Sequence, residues 1–404
     1  MRDQRLGMPG HAEVAAKQRE HEDQPVRERV RRWTTQPETA RRLVECGFCG
    51  VILLWLLVKV IREDAFATDF RYAFWPAGRH VLDGTSPFPH VINFDRLPFV
   101  YPAPAAMAFA PFAELPRPLA EAVFMLLLCG AVVVALRLCR VRDPRCYVLA
   151  FLWAPVFSAL QTANLTLVLA AGLAAVWRFE RRPLAAAAVA ACLVSLKVFL
   201  WPVAVWLAVR RGLSTLAVSI AVATTVIVAS WWTIGFAGFR QYPHLMGLIS
   251  RVEGPRSYSL VALGMRLGIG QTLATTLAFG LGLAVLGTAA VLARRDADGR
   301  RSFALTVVAI LLCTPVIWLH YFALLVVALA LLRPRLSVPW FVPLLLWPCP
   351  VNLFAPTLWP LVPLGIFGSA VALGFRSPAI SSRLAPEVVL PRSPSDQVAL
   401  PVRP

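Results

Sequence analysis

Between Leu43 and Leu373 the chain alternates apolar blocks with short arginine clusters, and this alternation limits what it can fold into. A helix needs about 20 apolar residues to cross the hydrocarbon core of a bilayer. Blocks on that scale recur along the interval. Hydrophobic residues make up 58% of the 404 and charged residues 15%, against roughly 45–50% and 25% in soluble domains. The two-residue alternation of a transmembrane β-strand is absent. The pattern predicts an all-α, polytopic membrane protein.

The net charge of +18 reads as positive-inside bias. The basic residues are split into small clusters between apolar blocks, which excludes a continuous nucleic-acid-binding face. Arg29, Arg31, Arg32, Arg41 and Arg42 flank the first span, about Leu43–Ile61, and hold the N-terminus in the cytoplasm. No cleavable signal peptide precedes that span. Lys59 near its far end can snorkel to the interface. Later clusters are Arg137/Arg140/Arg142/Arg145, Arg178/Arg181/Arg182, Arg210/Arg211, Arg294/Arg295/Arg300/Arg301, Arg333/Arg335 and Arg376. With every cluster cytoplasmic, hairpins follow at 147–177, 184–209, 302–332 and 337–375. A longer excursion covers 213–293, with an outer loop near 236–270. Adding a clear span at Leu119–Leu136, and a Pro-rich re-entrant or interfacial segment at Phe99–Leu115, gives about twelve crossings, within two either way.

Residues 1–42 are then a cytoplasmic tail, disordered by composition, and 43–376 a transmembrane domain. Residues 377–404 form a Pro-rich cytoplasmic tail. Residues 62–98 form a polar outer loop whose part from Asp69 to Leu82 suits a short amphipathic helix lying on the membrane. Of the eight cysteines, most lie in apolar segments and read as small buried hydrophobes. Cys46-x-x-Cys49 has zinc or redox spacing but no second pair.

Two hairpins have short arms; 184–209 leaves about 13 residues per arm, below the usual 17–25. Such arms turn inside a protein-lined cavity or tilt, so their apices carry the information. Lys197 sits in Leu184–Val209, which holds no other charge. A cation in such surroundings costs several kcal/mol unless offset, and marks a functional-site candidate. It can hold a phosphate as a point charge; the structural alternative is an ion pair with an acid elsewhere. Gln161-x-x-Asn164, at the 147–177 apex, offers amide donors and acceptors one turn apart, for ligands or for helix–helix bonding. His320, after Thr314-Pro315-x-x-Trp318, can donate to a phosphate or sugar hydroxyl, or belong with Trp318 and Tyr321 to an aromatic belt. Asp69 follows the first span. A carboxylate at a water-excluding interface is a natural general base; the alternative is an exposed acid or an N-cap of the following helix. Tyr101-Pro102-x-Pro104 is a rigid turn that shapes the cavity. Arg251, Glu253 and Arg256 in the late outer loop are phosphate contacts or solvated loop charges. Charge asymmetry alone directs Asp69, Gln161, Asn164, Lys197, Trp318, His320 and Tyr321 to one side.

There is no P-loop, dinucleotide glycine fingerprint, HExxH or zinc cysteine set. An activated sugar nucleotide would have to be used by another protein.

The order of motifs is Asp69-Phe70 with Gly84-Thr85-Ser86-Pro87-Phe88, then Phe99-Val100-Tyr101-Pro102, Gln161-x-x-Asn164, Lys197 with Pro202, and Thr314-Pro315-x-x-Trp318-x-His320. This order resembles the bacterial GT-C glycosyltransferases of family 87, actinobacterial membrane mannosyl- or arabinosyltransferases that use polyprenyl-phosphate sugars. The likeness covers about Leu43–Leu332. It implies a GT-C helical bundle in the plasma membrane with an extracytoplasmic active site. It implies Asp69 as catalytic base, with Gln161, Asn164, Lys197 and His320 around the donor phosphate and sugar. The family pattern has Gly where this chain has Leu160, and a second His where it has Tyr321. An Asn of the outer loop is replaced within Ser257-Tyr258-Ser259-Leu260. The resulting expectation is an inverting sugar transfer from a polyprenyl-phosphate donor to an envelope glycolipid or polysaccharide. No cofactor or metal is expected, since protein cations suffice for one lipid phosphate. The competing class is a transporter or flippase of lipid-linked glycans, or a non-catalytic envelope-assembly subunit; clear inverted repeats are absent.

Overall fold

The computed structural model describes residues 66–88, 99–349 and 359–376, with Val44, Gly47, Gly50, Val51, Ile52, Leu54 and Val58. The two tails, Cys46-x-x-Cys49, Lys59 and most of the first span lie outside the described residues. Every regular element among those described is helical.

A π-helical turn, Phe70–Phe74, runs directly into α1, Trp75–Leu82, and α2 is Ala103–Ala113. These two short helices pack on each other. A Cβ added at Gly78 would lie 2.5 Å from the Phe109 carbonyl oxygen, so glycine is what lets the backbones approach. Phe74 stacks on Phe109 with centroids 4.4 Å apart. The segment expected at 99–115 is therefore an 11-residue helix, too short to span alone. Arg71 donates to both oxygens of Glu121 at 2.9 and 3.0 Å, tying the π turn to α3, Arg117–Leu138.

The next elements are α4 (Pro144–Leu152), α5 (Ala154–Thr162), α6 (Thr166–Arg178), α7 (Pro183–Leu196), α8 (Pro202–Arg211) and α9 (Leu213–Thr233). Proline opens α4, α7 and α8, where a missing N–H costs nothing and φ is already helical. Beyond α9 lie α10 (Gln241–Glu253), α11 (Leu260–Arg266), α12 (Gln271–Ala293), α13 (Arg300–Leu312), a 3₁₀ turn Leu319–Leu324 leading into α14 (Leu325–Leu332), and α15 (Leu361–Arg376).

Three helices, α3, α9 and α12, are long and apolar enough to cross a membrane. Their 18-residue apolar windows are only 39, 22 and 28% buried, so most of that surface faces outward, as for helices set against lipid. Several shorter apolar helices accompany them, and together they mark an integral membrane protein. The short helices come in pairs that turn back on themselves. α5 returns as α6 at Ala163–Leu165, α7 as α8 at Lys197–Trp201, and α13 as α14 through Cys313–Trp318. Gly172 lets α6 and α7 meet closely, for a Cβ there would lie 2.5 Å from Leu193 Cδ2.

Candidate functional site

The apices of these pairs meet, and the loop before the π turn joins them. α5 ends at Ala163 in the left-handed region, φ 52°. The Ala163 and Asn164 amides close the helix on the Leu160 and Ala159 carbonyls, at 3.0 and 2.8 Å. Asn164, only 3% exposed, is thereby turned across the apex. Its Oδ1 accepts from the Thr166 amide at 3.0 Å and the Thr166 hydroxyl at 2.7 Å. Its Nδ2 donates to Asp69 Oδ2 at 2.6 Å and to the Tyr101 hydroxyl at 3.2 Å.

Asp69 precedes the π turn and makes no side-chain cap there, which removes the N-cap alternative. Its loop is fixed by a hydrogen bond from the Ala67 amide to the Gln161 carbonyl, 2.7 Å. Gln161 thus contributes its backbone, and its side chain is half-buried. Asp69 has helical backbone (φ −65°, ψ −38°) immediately before the π turn. Burial pushes its carboxyl up to about 6, while the Asn164 hydrogen bond and the charge of Lys197 pull the other way.

Lys197 sits where α7 stops. Its backbone is extended (φ −149°, ψ 106°), and the chain passes through a 3₁₀ turn, Val198–Leu200, before Pro202 starts α8. Its ammonium donates to the Tyr321 hydroxyl. It lies 4.1 Å from the ring centroids of both Tyr101 and Tyr321, and 5.4 Å from that of Phe199. Aromatic faces attract a cation through their quadrupole. Lys197 has no ion pair with a carboxylate among the described residues, so the structural ion-pair alternative does not hold there; Asp69 acts on it through space.

His320 is 8% exposed on the 3₁₀ turn and sits edge-on to Tyr321, centroids 4.8 Å apart. Its Nε2 is buried without a hydrogen-bond partner. Such an atom costs free energy unless a ligand or water completes it. Trp318 is half-buried at the start of the turn, and Pro102 is buried at the start of α2. The 257–259 stretch clips this region in place: the Tyr258 amide donates to the Ile317 carbonyl at 2.7 Å, and Ser259 Oγ to the Pro315 carbonyl at 2.7 Å. Arg256 is exposed on the turn just before that clip. Among the described residues no group of three His, Cys, Asp or Glu side chains has metal-binding proximity.

Asp69, half-buried, and the buried Asn164, Tyr101, Lys197, Tyr321 and His320 therefore form one polar cage in an apolar bundle. Sequence reasoning missed Thr166. Its signal was Asn164-x-Thr166, the spacing at which an Asn side chain bonds the backbone two residues on.

Neither the curated proteins nor the solved structures searched contain a match to this chain. The family model for Glycosyltransferase family 87 matches residues 99–315, more than half of the 404. The matched interval holds Tyr101, Gln161, Asn164 and Lys197; Asp69 and His320 flank it. A buried cation and a half-buried carboxylate in one cage, within a chain that this family model covers over most of its helical bundle, lead to one conclusion: the protein belongs to glycosyltransferase family 87.

Proposed function

We propose that the protein transfers a sugar, mannose or arabinose, from a polyprenyl-phosphate donor to an envelope glycolipid or polysaccharide, with inversion at the anomeric carbon. In this reading the bundle is of the GT-C type and its arginine loops and termini face the cytoplasm. The cage then opens on the extracytoplasmic side of the plasma membrane. The observation that carries the proposal is the pairing inside the cage. A lysine without an ion-paired carboxylate among the described residues is available to a lipid phosphate, and a carboxylate oriented by an amide stands beside it.

Each group has a chemical task. Lys197 neutralises the phosphate as it leaves, with His320 Nε2 as a further donor or acceptor. Asp69 takes the proton from the acceptor hydroxyl as that oxygen attacks the anomeric carbon. The C–O bond to the phosphate breaks as the new glycosidic bond forms, and the proton ends on Asp69. A carboxyl titrating near 6 is ionised at neutral pH yet more basic than an ordinary aspartate, which suits a general base.

The test is transfer by purified, lipid-reconstituted protein offered radiolabelled polyprenyl-phosphate mannose or arabinose with an envelope lipid extract. Wild type is expected to form labelled glycoside and Asp69→Asn to form almost none. Labelled lipid that crosses vesicles with no new glycosidic bond would decide for a flippase instead.

A further inference from the structure

Asn164 faces two chemically opposite neighbours, and only one orientation of its amide satisfies both. With Oδ1 toward Thr166 it accepts from the amide and the hydroxyl, at 3.0 and 2.7 Å, and a third and longer approach from the Tyr101 hydroxyl is 3.5 Å. Nδ2 then donates to Asp69 and to the Tyr101 oxygen. Turned over, the carbonyl oxygen would meet a carboxylate at 2.6 Å and the NH₂ group would meet the Thr166 N–H donor. Thr166 is itself 2% exposed and opens α6, so it cannot drift from its post.

We infer that Thr166 is a positioning residue for the Asp69 carboxylate, acting through Asn164. The inference rests on the reading of Asp69 as base only for its effect on turnover. The positioning itself is a statement about the Asp69–Asn164–Thr166 chain. The hydroxyl locks Oδ1, and the locked amide aims Nδ2 at Asp69 Oδ2; the Thr162 side chain is a second hydrogen-bonding neighbour of that carboxylate. Thr166 touches neither the carboxylate nor Lys197 in any described hydrogen bond.

The experiment compares Thr166→Val, which keeps shape and loses the hydroxyl, with Thr166→Ser, which keeps the hydroxyl. Thr166→Ala serves as a second hydroxyl-free variant should valine disturb folding. Two readouts are taken on reconstituted full-length protein: kcat and KM for polyprenyl-phosphate mannose across pH, and the Asp69 carboxyl titration by infrared difference against Asp69→Asn. Misplacing a catalytic group typically costs up to about a hundredfold, so kcat is expected to fall about ten- to hundredfold in Thr166→Val with KM nearly unchanged. A weaker bond to the charged carboxylate favours its protonated form, so the titration and the acid limb of kcat should both move to higher pH. Thr166→Ser should restore both. Wild-type kcat and an unmoved titration in folded Thr166→Val would overturn the inference. A Thr166→Ser variant as impaired as Thr166→Val would also overturn it, because that pattern reports packing. A shifted titration in a protein whose Asp69→Asn variant still transfers sugar would remove the base assignment and leave the positioning intact.

Discussion

Helices α6 and α7 each have one end beside the cage, at Asn164 and Lys197, and the other beside the arginine loops, and the two ends treat charge in opposite ways. At the arginine end, Arg210 binds both oxygens of Glu180 at 2.9 and 2.8 Å and caps the carbonyls of Ala293 and Asp296 at 3.0 and 2.6 Å. Arg211 adds a second ion pair to Glu180 at 3.2 Å, and Trp177 Nε1 donates to the Asp298 carbonyl at 3.0 Å. At the cage end, Lys197 is as deeply buried as Glu180 but rests on tyrosines, and His320 Nε2 has no hydrogen-bond partner among the described residues. The paired end ties α6, α8 and α12 to the loops at Glu180 and Asp296–Asp298, whereas at the cage end Lys197 has no ion-paired carboxylate among the described residues. On the proposed function, the difference separates buried charge that stabilises a fold from buried charge kept for a substrate.

The sharpest way to break this contrast is at the carboxylates. Asp69→Asn should lower turnover by about 10²–10⁴ while the melting temperature holds, because the group does chemistry and little packing. Glu180→Gln should do the reverse. Removing one partner of a buried pair costs roughly 3–5 kcal/mol, so thermal unfolding is expected well below wild type, with the specific activity of the folded fraction preserved. Lys197→Met comes next. Loss of a preorganised cation at a developing phosphate charge should cost about 10² in rate, and thermal stability should hold or rise, since a buried cation without an ion partner has gone. A large fall in stability for Lys197→Met would show that the aromatic cage, not a ligand, is what the lysine serves.

The smallest effect, and the finest test, is pH. Asp69 titrates near 6 in the folded protein against 3.8 ordinarily. As pH falls through 6 it takes up a proton and ceases to be a base, so kcat should drop on that limb. Stability should respond with the opposite sign. Between these two values the native state binds a proton that the unfolded chain does not, so this group's contribution to stability grows as pH falls and is lost as pH rises through 6. Turnover and the Asp69-dependent part of stability, measured on wild type and Asp69→Asn from pH 5 to 8, should therefore move apart.

Much of this arrangement could be read from the chain because membrane topology has a one-dimensional code. Arginine clusters grouped the turns of 147–177, 184–209 and 302–332, and the structure brings Asn164, Lys197 and His320 into one region. The short arms were equally visible in the spacing of charges. The pairings within the cage were not. Tyr101 reaches Asn164 across 63 residues and Lys197 reaches Tyr321 across 124, and contacts at such separations leave no periodic trace. The amphipathic helix expected from Asp69 to Leu82 begins as a π turn, because Arg71 must face Glu121 while Phe70 stacks on Phe124. Gln161 lies in the last turn of α5, where carbonyls lack an intrahelical partner, and its carbonyl accepts from the Ala67 amide.

The short helices carry a consequence for the surrounding lipid. α6, α7 and α13 have 13, 14 and 13 residues. At about 1.5 Å per residue each reaches roughly 20 Å, against a hydrocarbon thickness of about 30 Å. In the proposed orientation, with the arginine loops at the cytoplasmic surface, these helices fall short of that thickness, a mismatch between helix length and lipid length. On that reading acyl-chain length becomes part of the geometry with which an acceptor hydroxyl and a lipid phosphate meet.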